Sequence, residues 1–165
     1  MRKMLPGLLF MCIVAFLPTL WMPTVSAQPM KPLRCEASFM LNWDWVGVGG
    51  TSPISWIGTI WGDIEGDATL AAIQASFPGI TEHYSETWVI TTSTGTITMY
   101  QEGVWSFMSF DFKSNGYVTA ATGAWEYLVG SDAHVRGTTT PFPVPQGTPV
   151  IGSCQVWIAG YDAEA

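Results

Sequence analysis

Residues 34–45 read R-C-E-A-S-F-M-L-N-W-D-W. Cys35, Ala37, Phe39, Leu41, Trp43 and Trp45 fall on one side of an extended chain. Arg34, Glu36, Ser38, Met40, Asn42 and Asp44 fall on the other. Successive side chains of a strand point to opposite faces, so this two-residue period predicts a strand with one buried face. The turn G-V-G-G-T-S-P, residues 47–53, ends it.

The same style continues through the chain. Residues 54–69 read as a strand whose glycines, Gly58, Gly62 and Gly66, mark sharp bends. Residues 68–75 have brief helical character, ended by Pro78-Gly79. Strands are expected over 82–92, 96–101, 104–112, 117–129, 134–138 and 151–159, with a turn at Ser93-Thr94-Gly95 and a turn or bulge at Glu102-Gly103. Ser114-Asn115-Gly116 lies between two β-runs, and an Asn-Gly pair in that setting predicts a tight hairpin. Residues 141–149 form a Pro-rich loop. About eight strands result. The fold class is all-β, a single antiparallel barrel of roughly eight strands. A two-sheet sandwich has the same count, but long alternating strands with internal glycines favour the barrel.

The N-terminus has the three parts of an export signal. Arg2 and Lys3 are positive, residues 8–17 are apolar, and Val25-Ser26-Ala27 offers a small-residue cleavage site. Pro6, Pro18 and Pro23 make this stretch a poor spanning helix, which argues against the alternative of an uncleaved anchor. The expected division is a leader at 1–27, a linker at 28–33, the barrel at 34–160 and a tail at 161–165. Localisation is then secreted, extracellular or periplasmic. Cys12 lies in the leader, whereas Cys35 and Cys154 lie near the two ends of the exported chain. In an oxidising compartment they are expected to form a disulfide that ties the first strand to the last.

Beyond the leader, the basic residues are Lys31, Arg34, Lys113 and Arg136, against 13 acidic residues. No basic patch is available for phosphates, which excludes nucleic acid and argues against an anionic membrane as partner after signal cleavage. Aromatic residues make up 13% of the chain and charged residues only 12%. The chain is therefore too apolar to be disordered. So many rings must fill a core, line a pocket or make an interface, including one between copies of the chain.

Residues 110–140 read F-D-F-K-S-N-G-Y-V-T-A-A-T-G-A-W-E-Y-L-V-G-S-D-A-H-V-R-G-T-T-T. This stretch resembles the hairpin core of barrel proteins related to allene oxide cyclases and dirigent proteins, through the element Ala121-Thr122-Gly123. Residues 57–67, I-G-T-I-W-G-D-I-E-G-D, resemble the Gly-rich early strand of exported relatives of that group. The resemblance spans about a third of the exported chain and consists of glycine spacings. It implies a calycin-like barrel, and it carries no active-site residue onto this sequence.

Several side-chain groupings bear on chemistry. Asp63, Glu65 and Asp67 alternate, and read as a solvated strand face or, less simply, a cation site. His83 and His134 lack zinc-ligand spacing; a His–carboxylate pair with Glu86 needs adjacent strands and a shared face. No metal and no cofactor is expected. Phe39, Leu41 and Trp43 are the candidate ligand wall from the first strand, and Tyr84 and Trp88 from another. Glu86 lies between Tyr84 and Trp88 on their face. Enclosed, it is the candidate catalytic acid or base; exposed, it is a surface carboxylate. Three functions remain open: binding an apolar small molecule or a protein partner, a cofactor-independent cyclase or isomerase acting on a hydrophobic substrate, and a surface protein assembling through exposed aromatics.

Overall fold

The structure, a computed structural model, describes residues 31–159. The leader, most of the linker and the tail lie outside the described residues. The strands are β1 (Leu33–Leu41), β2 (Trp56–Gly62), β3 (Gly66–Ser76), β4 (Thr81–Thr92), β5 (Gly95–Ser106), β6 (Asp111–Ala121), β7 (Asp132–Thr139) and β8 (Ile151–Ile158). Each pairs antiparallel with the next, and β1 pairs with β8, closing an eight-stranded barrel. Closure leaves no unpaired sheet edge.

Inward residues alternate along each strand. Cys35, Ala37, Phe39 and Leu41 on β1 are buried, as are Glu86, Trp88 and Ile90 on β4 and Ile97, Met99 and Gln101 on β5. The two ends of the barrel differ. Chain connections at one end are short: residues 63–65, 93–94 and a 3₁₀ segment, Gly123–Leu128, between β6 and β7. Ile64 and Leu128 from these connections are 1% and 0% exposed and plug this end. Trp125 braces the plug by donating Nε1–H to Thr92 Oγ1 at 2.9 Å. The connections at the other end include residues 42–55 and 140–150, and this end stays open. On the outside, Ile151, Met40 and Ile57 stand side by side across three strands and remain exposed.

The first and last strands are neighbours, but Cys35 and Cys154 are both free. The register explains why. Cys154 faces Ala37, and Cys35 faces Val156, so the two cysteines sit on a diagonal. Diagonal neighbours stand roughly 7–8 Å apart, while a disulfide needs Cβ atoms about 3.5–4.5 Å apart. Burial pushes the Cys35 thiol up to about 11, and burial followed by the nearby Glu86 charge pushes Cys154 up further. Both behave as small core residues rather than nucleophiles.

Several local expectations are corrected. Residues 68–75 belong to β3, where Ala68 and Leu70 point inward, rather than to a helix. The run 54–69 is two strands joined at Asp63-Ile64-Glu65, so the three acids share no strand face. Asp63 instead accepts the Arg34 backbone N–H at 2.8 Å. Ser114-Asn115-Gly116 is no hairpin turn but the middle of β6, and Gly116 lacks a positive φ. A Cβ there would lie 1.8 Å from the Tyr100 carbonyl oxygen, so close backbone approach requires this glycine. Asn115 serves the outer face, 2.8 Å from His134 Nδ1. Glu102-Gly103 likewise continues β5 without a turn, and the strand expected over 117–129 ends at Ala121.

Candidate ligand cavity

At the open end the interior is hollow, with a cavity of about 200 Å³. Its shape follows from cross-strand pairs of one kind. Phe39 stands opposite Gly58, Tyr84 opposite Gly103, and Phe112 opposite Gly137. In each pair the ring lies across the glycine. A Cβ on the glycine would come within 2.7 Å of Phe39, 2.6 Å of Tyr84 or 2.6 Å of Phe112. Glycine leaves a bare patch of wall, and the neighbouring ring covers it. The glycines give each ring room beside the wall, and the cavity remains between these rings and the mouth.

Around the mouth, Trp105 is the hub of an aromatic collar. Its ring centroid lies 5.1 Å from Phe107, 5.9 Å from Phe142 and 6.4 Å from Trp56. Phe77 stacks on Phe107 at 6.2 Å. These rings come from five different strands or loops, so the collar ties the open end together where the ladder has ended. Deeper in, Phe39 meets Trp88 edge to face at 4.9 Å.

Polar groups enter this apolar space from β4 and β5. Glu82, Tyr84, Glu86 and Trp88 share the inner face of β4 and line the cavity. Glu86 is 8% exposed, and Trp88 donates its indole Nε1–H to Glu86 Oε1 at 2.6 Å. Burial pushes Glu86 up to about 7; the Trp88 hydrogen bond opposes this, and the Glu82 charge adds to it. Burial also takes Glu82 up to about 7. Tyr84 is pushed well above its ordinary value by burial, then by Glu86.

Opposite Glu86 on β5 stands Gln101, fully buried, with neither amide atom hydrogen-bonded. The Ser114 hydroxyl sits against the Tyr84 hydroxyl, and the Trp105 indole N–H also lacks a partner. Buried polar atoms normally find partners, so this concentration beside a cavity is unusual. No lining side chain among the described residues is basic.

The structure therefore brings Phe39, Leu41, Tyr84, Glu86 and Trp88 to one cavity. Trp43 is not on that wall. It lies beyond the end of β1 and donates Nε1–H to the Thr148 carbonyl at 2.9 Å, tying two mouth loops together. His83 is exposed on the outer face of β4 and cannot pair with inward Glu86. Among the described residues no group of His, Cys, Asp and Glu is arranged to hold a metal ion. No protein family, no curated protein and no solved structure matches this chain.

Sequence reading missed Glu82, Gln101, Trp56, Trp105, Phe107, Phe112 and Phe142. Glu82 was available from parity, since it shares the face of Glu86. Gln101 and Trp105 were hidden by the turn or bulge expected at Glu102-Gly103, which broke the parity of β5 between them.

Proposed function

We propose that this is an exported binding barrel that takes a small apolar molecule into its open end. One observation carries the reading: an aromatic-walled cavity of about 200 Å³ occupies the end of a barrel whose other end is fully packed. A dry apolar cavity of about 150 Å³ is enough for a benzene ring, so a monocyclic ligand fits, and a longer one can extend through the mouth. The signal-like leader supports export, and the closed eight-stranded topology supports, at the level of fold, the resemblance to the allene oxide cyclase and dirigent group. Native mass spectrometry of the protein purified from its own host tests this reading. A stoichiometric small molecule is expected. Only unliganded protein, together with no uptake of apolar probes, would count against it.

A second reading rests on Glu86. A carboxyl enclosed among rings, titrating near neutrality and positioned by Trp88, suits a general acid or base for a cofactor-independent cyclase or isomerase. The walls would hold a flexible substrate in one folded shape. Glu86→Gln should then abolish turnover while binding is nearly unchanged.

A further inference from the structure

The cavity is unbalanced in charge. Its ionisable side chains, Glu82, Tyr84 and Glu86, all become anionic on losing a proton, and no basic side chain among the described residues lines it. A purely apolar ligand leaves the Glu82 carboxyl and the second oxygen of Glu86 in an aromatic chamber with nothing to bind. An anionic ligand meets like charge. The faces of Trp88, Trp105, Tyr84 and Phe112 are instead suited to a cation. Gln101 supplies the independent observation: completely buried, inward-facing and opposite Glu86, its carbonyl oxygen accepts no hydrogen bond.

Resting on the binding-barrel reading, we propose that the ligand is a small lipophilic amine. Its ammonium group sits against Glu86, on the side of the cavity where Gln101 is buried, and its apolar part lies along the aromatic wall toward the mouth. An ammonium has three donors. Glu86 Oε2 and the Glu82 carboxylate offer acceptors on the cavity side of β4, while Glu86 Oε1 stays with Trp88, and Gln101 Oε1 is an unused acceptor buried opposite Glu86. Phenylalkylamine-sized molecules match the volume.

The groups around Glu86 determine the pH dependence. On its own strand are Glu82 and Tyr84; β3 presents Ala72, β5 presents Gln101 and β6 presents Ser114, none ionisable; β8 contributes the Cys154 thiol, held neutral by burial. An amine with an ordinary lysine-like pKa is cationic throughout the range where Glu86 titrates. Binding therefore strengthens as pH rises through about 7 and weakens below it.

The test is calorimetric titration of the exported chain with three matched probes: 2-phenylethylamine, propylbenzene and 3-phenylpropanoate. At about pH 8 the amine is expected to bind on the order of tenfold more tightly than propylbenzene, with the carboxylate weakest. That advantage should fall severalfold at about pH 5.5. Glu86→Gln should remove the preference while retaining propylbenzene binding, and Glu82→Gln should reduce it less. If Glu86→Gln does not fold, the wild-type pH profile and Glu82→Gln decide. Propylbenzene binding as tightly as the amine at pH 8 would overturn the proposal and leave the apolar cavity standing. Failure of all three probes to bind would overturn both.

Discussion

The two ends of this barrel are built from the same strands and solve opposite problems. At the closed end, short connections fold Ile64 and Leu128 into the interior, and the core there is aliphatic: Ile90, Ile97, Met99, Val118 and Ile158 are essentially inaccessible. At the open end the residues are larger, yet the interior is empty. Aromatic side chains would be expected to fill a narrow barrel faster than aliphatic ones. They do not, and Phe39, Tyr84 and Phe112 each take up the space left by a cross-strand glycine. Volume filled depends on where a ring can lie, and glycine placement decides that.

The strongest way to break the comparison is to open the closed end. Leu128→Ala removes a fully buried plug and should cost about 2–5 kcal/mol of stability in denaturant unfolding. Probe binding at the far end should persist in the fraction that stays folded. A loss below about 0.5 kcal/mol would mean that Leu128 closes nothing.

Next is the charge in the open end. Glu86 is raised in the folded state to about 7, above its ordinary value. The folded protein holds this proton more tightly than the unfolded chain, so stability is greatest below the unfolded pKa and declines as pH rises to about 7. Glu86→Gln should remove part of that decline, the rest coming from Glu82, and raise stability near pH 8 by about 1–3 kcal/mol. Unfolding curves from pH 4 to pH 8 check it. A variant less stable than wild type at pH 8 would show that Glu86 is already paired.

Gly103→Val tests the ring-over-glycine device. A Cβ at position 103 meets the Lys113 carbonyl oxygen at 2.5 Å and the Tyr84 ring at 2.6 Å. Overpacking of this kind should cost about 1–3 kcal/mol and push Tyr84 into the cavity, weakening binding of any apolar probe. Unchanged probe affinity would separate the glycine from the cavity. The smallest effect is expected at the rim. Met108 is 71% exposed, and Met108→Ser should change stability by less than about 0.5 kcal/mol.

How much of this was legible beforehand depends on what each residue had to say locally. The alternation of 82–92 reports burial directly and that strand runs nearly as read, whereas the alternation of 34–45 outlasts its strand, which ends at Leu41 as the chain enters the mouth loop. The count of eight was reached through compensating errors: β3 was missed, and β5 was divided at Gly103. Ala-rich β3 has weak strand preference, and tertiary pairing with β2 and β4 overrides it. Gly103 and Gly116 were read as turn glycines. Their actual reasons, a tyrosine ring and a backbone oxygen, come from the neighbouring strand and leave no local trace. The diagonal offset of Cys35 and Cys154 is likewise a property of register, which no cysteine count reveals. Glu86 was visible as a carboxylate between two aromatics, but its enclosure depended on closure of the barrel.

The tryptophans report on the open end most directly. Trp45, Trp56, Trp88 and Trp105 line the cavity, while Trp61, Trp125 and Trp157 do not. In ¹⁵N-labelled protein titrated with propylbenzene, the indole N–H resonances of the first group are expected to shift saturably, and those of the second to stay fixed. Equal shifts in both groups, or none that saturate, would contradict a ligand cavity at the open end.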